Sequence, residues 1–290
     1  MKYKIEHITK YSYQNAVSFC HNQAILKPID NDEQNLLEYS VKISPKETER
    51  DELVDFFGNN ILQFLVQTPH QNLEVHSSAI VQKSPKPKEI PQIDMSVAGA
   101  KEALDEHTLA TICSKQFLFE SPLIKHDDEK IKKYAQISFE DSRNIYEACV
   151  DLMRRIYEDF DFVSGATDVN TTVEQVFADK KGVCQDFAHF AIACVRSVGL
   201  PAKYASGYIE TLPPPGEEKL IGADASHAWF CVYIPKFGWF EFDPTNNQVP
   251  SIQHIILGYG RDYSDVVPLK GVMQGSGGNY LSVSVDIQRI

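Results

Sequence analysis

The stretch KKGVCQDFAHF, Lys180 to Phe190, decides how the rest of this chain is read. From Gln185 onward, apolar residues fall at Phe187, Phe190, Ala191, Cys194, Val195 and Val198, and VGLP follows with Gly199 and Pro201. Those offsets trace one face of a helix, and the Gly and Pro end it. Cys184 stands two residues after Gly182, at or near the start of that helix. Free amide hydrogens and the positive end of the helix dipole lie there, and both favour thiolate over thiol. The alternative is a buried structural thiol. Partners elsewhere in the chain separate the two readings, because a competent thiolate normally has an imidazolium beside it.

The leading partner is His227, in ASHAWFCVY. Strand periodicity places His227, Trp229, Cys231 and Tyr233 on one face, and Ala228, Phe230, Val232 and Ile234 on the other. A hairpin turning near PKFG returns through WFEFDPTNN and brings Asp243 opposite residues close to His227. If the register keeps both on one face, Asp243 can accept a hydrogen bond from the imidazole and fix its tautomer; a slip of one residue would part them. DPTNN is also a good turn sequence, and the two roles are compatible. Thiol, imidazole and carboxylate in these places fit acyl transfer through a thioester, with the Cys184 backbone N–H as an oxyanion donor.

Around this constellation the chain divides in three. Residues 1–85 read as a small antiparallel β domain, with strands in YKIEHITKYSY, NLLEYSVKIS, NILQFLVQT and NLEVHSSAIVQK and a turn at FFGNN. Residues 86–140 read as linker and helical connection, with the Pro- and Lys-rich Ser84–Gln92 as the linker. Residues 141–290 read as the catalytic domain. A helix there carries Ile145, Cys149, Leu152 and Ile156, capped by Asp141 or Ser142. Thr171 and Glu174 form a capping box for a shorter one. Strands follow in AKYASGYIET, in the hairpin and in YLSVSVDIQRI. The proline-rich Leu212–Asp224 reads as a surface loop, either an idle insertion or a partial lid over the cleft.

Composition narrows the function. The chain has 290 residues, 43% hydrophobic and 23% charged, which is enough for a real core without staples. A net charge of −12 argues against nucleic acid as a partner. No apolar run approaches the ~20 residues of a membrane span. The opening MKYKIEHITKYSYQ alternates like a strand rather than a signal peptide, so the expected compartment is the cytoplasm and no membrane partner is expected. The six cysteines include no C-x-x-C pair, which argues against a zinc site, and no metal or other cofactor is expected. The sequence leaves the oligomeric state open.

GVCQDFAHF, ASHAWFCVYIPKFGWFEFDPTNN and GYGRDYSDVVPLKG together resemble the transglutaminase-like superfamily, within the papain-like cysteine protease fold. HITKYSY and DFFGNN resemble the N-terminal β domain that bacterial members carry. The resemblance implies an α+β catalytic core, with a nucleophile helix packed on an antiparallel sheet, preceded by the small β domain. It implies Cys184 as nucleophile, His227 as base and Asp243 as third member. The reaction it implies most directly is hydrolysis of a peptide or isopeptide-type amide in a peptide or protein substrate. Amine transfer (protein cross-linking) and a catalytically silent peptide-binding scaffold are the alternatives. Gln185, Trp229, Arg261, Asp262 and Tyr263 are candidate site-lining residues. For Trp229 the competing reading is core packing, and for the GRDYSD cluster a solvated turn with an internal ion pair. On the nucleophile helix, His189 reads as structural or as a supporting residue behind the site rather than catalytic, and Asp186, in the first turn, as favouring the helix dipole.

Overall fold

The first strand shows its placement in its side-chain alternation: Tyr3, Ile5, His7 and Thr9 are buried, and the residues between them face outward. The structure, a computed structural model, describes residues 1–84, 92–211 and 225–290. The Ser84–Gln92 linker lies almost wholly outside the described residues, and the Leu212–Asp224 loop wholly outside them.

The N-terminal strands are β1 (Lys2–Val17), β2 (Phe19–Ala24), β3 (Gln34–Ser44), β4 (Glu49–Val54), β5 (Asn60–Val66) and β6 (His70–Lys83). Helices α1 (Val97–Ala103), α2 (Leu109–Lys115), α3 (Glu129–Ser138) and α4 (Ile145–Asp159) follow. Next come β7 (Asp161–Phe162), α5 (Val173–Asp179), β8 (Lys181–Gly182) and α6 (Cys184–Ser197). The chain ends in β9 (Ala202–Ile209), β10 (Ala225–Ile234), β11 (Gly238–Phe242), β12 (His254–Gly260), β13 (Leu269–Gln274) and β14 (Asn279–Arg289). Three four-stranded sheets result, ordered β14-β1-β6-β3, β13-β2-β5-β4 and β11-β10-β9-β12. The fold is α+β, as the sequence implies: N-terminal antiparallel sheets precede a helix-on-sheet core.

Two boundaries move. Residues 141–290 are not one unit, because β13 pairs with β2 and β14 with β1, so the last strands complete the N-terminal sheets. The stretch read as a helical connection supplies core: Val97, Ala100, Ile131 and Ala135 are fully buried beside α4 and α6. Two caps also shift. Asn144, not Asp141 or Ser142, caps α4 by accepting from Tyr146 and Glu147 N–H. Thr172, not Thr171, caps α5. In both cases several adjacent polar residues could cap, and packing of the first apolar turn selects one.

Every residue of α6 from Asp186 to Arg196 is buried. One side faces β9 and β10 through Tyr204, Ala228, Phe230 and Val232; the others face α3, α4 and α5. A helix apolar on nearly all sides is stable only when covered on all sides, which fixes it at the centre. On the opposite face of that sheet, Tyr208, Ile255 and Leu257 pack with Tyr3, Ile5, Val81 and Ile287. The edge strand β12 is closed by two side-chain amides from the N-terminal unit. Gln34 donates to the Ile256 carbonyl and accepts its N–H, both at 2.8 Å. Asn59 does the same for Tyr259, at 2.7 and 2.8 Å. Peptide-like pairing of this kind satisfies an edge that would otherwise expose bare backbone donors.

Candidate active site

The turn into α6 is built around Asp186. Its Oδ2 accepts from the Val183 N–H at 2.8 Å and from the Thr167 hydroxyl at 2.6 Å. Burial pushes this carboxyl up against those two lowering hydrogen bonds. Gly182 is required beside it, since a Cβ there would stand 2.8 Å from Asp186. The short parallel pair β7–β8 delivers the chain to this point, and Cys184 becomes the first residue of α6. Its side chain is half-buried, whereas Cys149, Cys194 and Cys231 are sealed in the core.

The hairpin register settles the question left open by the sequence. Phe230 pairs with Phe242, so Asp243 continues β11 opposite Trp229, two residues from His227 and on its face. His227 Nε2 lies 2.8 Å from Asp243 Oδ2. The imidazole also hydrogen-bonds to Cys184. With Nε2 committed to the carboxylate, Nδ1 is the nitrogen left for sulfur. Burial opposes charge on the ring, but the bonds to Asp243 and Cys184 prevail and raise His227 to about 10. Asp243 is fully buried; that alone would raise its carboxyl, yet bonds from His227, His254 and Asn246 hold it well below the usual range. Its second oxygen accepts from Thr245 and Asn246 N–H, so the carboxylate also closes the DPTNN turn.

His254, the first residue of β12, lies behind the carboxylate and went unread in the sequence. Its Nε2 lies 3.0 Å from Asp243 Oδ2, and its side chain is buried. The Ser251 N–H donates to its Nδ1 at 3.3 Å, which leaves the ring proton on Nε2, directed at Asp243. His227, Asp243 and His254 are close enough to surround a metal ion. The donor set does not fit one, because a metal needs the His254 Nε2 bare and that nitrogen carries the proton. Asn246 Nδ2, 2.8 Å from Asp243 Oδ2, completes three donors to one oxygen. The one signal for His254 in the sequence is a polar residue opening an apolar strand, HIILGYG, as His227 opens its own.

The remaining predicted residues separate. Trp229 is buried, with its ring 5.9 Å from His227 and 5.1 Å from His254, so it forms the floor behind both imidazoles. Tyr263 acts electrostatically with Cys184, and its backbone N–H donates to His189 Nε2 at 3.1 Å. Arg261 is engaged instead with Asp265, through two contacts of 2.9 Å. Asp262 accepts from Leu123 N–H and from Ser264. Arg261 and Asp262 thus take part in a structured turn. Gln185, half-buried in the first turn of α6, stands next to the sulfur-bearing residue. His189 holds backbone, as expected of a structural residue, and so does Asp186.

Geometry and sequence comparison agree on the class. Residues 132–244 match the transglutaminase-like superfamily, and residues 3–82 match the bacterial transglutaminase-like N-terminal region. An uncharacterized protein of Mycobacterium tuberculosis is 36% identical over 291 residues, covering 99% of this chain and 92% of its own length. A protein-glutamine gamma-glutamyltransferase of Pseudomonas aeruginosa is 30% identical over 86 residues, 29% of this chain and 13% of that protein. Among solved structures, a protein from Cytophaga hutchinsonii described as a candidate cysteine protease superimposes with a TM-score of 0.75 at 23% identity, covering 99% of this chain and 90% of that one. This chain belongs to the transglutaminase-like superfamily, with the bacterial N-terminal region in front of the core.

Proposed function

We propose that this protein is a cysteine-dependent acyl-transfer enzyme that hydrolyses peptide or isopeptide-type amides. The observation that carries the reading is the convergence at one place of a half-exposed thiol on a helix start, an imidazole bonded to it, and a buried carboxylate 2.8 Å from the far ring nitrogen. His227 takes the thiol proton, and the Cys184 sulfur attacks the amide carbonyl. The oxyanion of the tetrahedral intermediate meets the Cys184 backbone N–H, which has no acceptor among the described residues in the first turn of α6. His227 gives its proton to the leaving nitrogen as the C–N bond breaks, leaving a thioester. It then accepts a proton from water as water attacks, and the acid and the free thiol are released. Asp243 keeps the imidazole in the tautomer this cycle needs and stabilises its cationic form.

Amine transfer uses the same thioester with an amine in place of water, and the Pseudomonas gamma-glutamyltransferase is the observation that favours it. The half-buried thiol and its bonded imidazole weigh against a silent scaffold. We place the enzyme in the cytoplasm: all six cysteines are free thiols, which fits a reducing compartment. No helix among the described residues is long and apolar enough to cross a membrane.

The test is incubation of a glutamine-containing protein with a fluorescent primary amine. Released ammonia or new peptide termini without label incorporation support hydrolysis. Label incorporation moves the assignment to amine transfer. Neither product, together with Cys184 alkylation no faster in the native than in the denatured protein, removes the enzyme reading.

A further inference from the structure

A cavity of about 700 Å³ opens at the far end of the β10–β11 hairpin from the triad. It lies six strand residues from His227, about 20 Å at roughly 3.3 Å each. Three distant stretches of chain wall it with rings: Phe56 and Phe57 from the β4–β5 turn, Phe117 just beyond α2, and Trp239 on β11. Their centroids run in series, Phe56–Phe57 at 5.4 Å, Phe57–Phe117 at 5.9 Å and Phe117–Trp239 at 5.2 Å. At the mouth, Phe56 is 81% exposed and Phe237 43% exposed. A phenyl ring left in water forgoes the stabilisation of burial, so exposed rings at a cavity mouth point to a surface that is covered in use.

Among the described residues, one of the cavity's charges enters it without an ion-pair partner. Lys203 of β9 is half-buried, with Nζ 4.5 Å from the Trp239 ring centroid and 3.5 Å from that of Tyr259. Among the described residues its ammonium has no ion pair and no hydrogen-bond acceptor; it rests on the two rings. Glu241 acts on it electrostatically, but the Glu241 oxygens accept from Trp229 Nε1 at 3.2 Å and from the Tyr259 hydroxyl at 2.9 Å. The polar groups on the opposite wall are also engaged. Ser114 donates to the Thr111 carbonyl and Gln116 to the Cys113 carbonyl, both at 2.9 Å. The other lysine of the cavity, Lys236, is paired with Glu106 at 3.0 Å. It sits at φ 71°, so the hairpin tip carries a non-glycine residue in the left-handed region.

We propose that this cavity binds a free planar aromatic carboxylate, with its ring against Phe57, Phe117 and Trp239 and its carboxylate on the Lys203 ammonium. The volume falls in the range of about 300–1,000 Å³ typical of small-molecule sites. A cation recessed behind rings is reachable by a slender ligand and not by a folded surface. An anion also supplies what this ammonium lacks, an acceptor for its N–H donors. The proposal does not depend on the chemistry at Cys184.

The test uses the intact protein and 2-naphthylacetate, with 2-naphthylacetamide as the uncharged control, by isothermal titration calorimetry. The carboxylate binds at least tenfold more tightly than the amide, and Lys203→Met, which keeps the aliphatic stem, brings the two within about twofold. Location is read from Cys113, an exposed thiol on the cavity wall. Saturating 2-naphthylacetate slows its alkylation by N-ethylmaleimide at least fivefold and leaves the Cys184 rate unchanged, each site followed by peptide mapping. Equal binding of carboxylate and amide, absence of binding, or protection of Cys184 instead of Cys113 overturns the proposal. The Cys113 measurement stands in the wild-type protein even where Lys203→Met does not fold.

Discussion

Among the described residues there are two cysteine–histidine pairs, and only one of them is arranged for chemistry. In the N-terminal unit, Cys20 Sγ on β2 lies 3.7 Å from His70 Nε2 at the start of β6. His70 Nδ1 donates to the Thr68 carbonyl at 2.7 Å. In the core, Cys184 meets His227, and the far nitrogen of that ring meets the Asp243 carboxylate. The residue types and the strand-start placement of the histidine are shared. Three things differ. Cys20 is sealed from solvent, and burial pushes its thiol up; Cys184 is half-exposed at a helix start. A neutral carbonyl orients His70, and it stabilises an imidazolium far less than a carboxylate does. No helix dipole acts on the strand thiol. Proximity of sulfur and imidazole is therefore not enough. Access, the helix end and a charged third member make the difference.

Breaking the core pair outright gives the largest effect. Cys184→Ala abolishes turnover and leaves the melting temperature within a few degrees, because little buried volume is lost; Cys20→Ala leaves turnover intact. Iodoacetamide at neutral pH labels Cys184 fastest, the exposed Cys113 at the rate of an ordinary surface thiol, and Cys20 only on denaturation. Equal native labelling of Cys20 and Cys184 would remove the contrast.

Changing only the third member comes next. Asp243→Asn makes the core pair more like the N-terminal one, with a neutral orienter. Turnover falls by about 10²–10⁴-fold through the wrong tautomer. It also disturbs three donors that share one oxygen. Wild-type turnover in this variant would show that Asp243 serves only the turn.

His254 sharpens the contrast further, since among the described residues His70 has no equivalent behind its carbonyl. His254→Phe loosens Asp243 and slows Cys184 alkylation about tenfold. His254→Gln, which retains an N–H, recovers most of the rate. Equal rates in the two variants would mean that the ring fills space and does not position the carboxylate.

The smallest effect is a slope with pH. His227 is raised to about 10 in the folded protein from an ordinary 6.5. A raised histidine contributes its stability in full below the unfolded value and loses it as pH climbs through the folded value. Thermal melts of the wild type should therefore decline from about pH 6.5 to about pH 10. His227→Gln, with no proton to lose at that position, should show a flatter profile over the same window.

Much of this was legible before any coordinates. The α6 periodicity and its Gly182 and Gly199 boundaries placed Cys184 at a helix start. The alternation of β10 and the length of the PKFG turn put Asp243 within reach of His227. What stayed hidden has particular physical causes. His254 is 27 residues from His227 in the chain, and its part in the site depends on β12 lying beside β9, a non-local pairing with no local signature. The alternation of YLSVSVDIQRI marks a strand without naming its partner, so it reads as part of the core, whereas β14 runs back to β1 across nearly the whole chain. The bond from the Leu123 N–H to Asp262, across 139 residues of chain, has no local signature either.

By itself the sequence determined which side chains could do chemistry and on what local elements they ride, because helix and strand periods are written every few residues. The tertiary structure alone decided which imidazole meets which sulfur, which carboxylate stands behind the ring, and which cysteine is open to water. Those outcomes depend on sheet register and on what covers each face, and both are set by contacts between residues far apart in the chain.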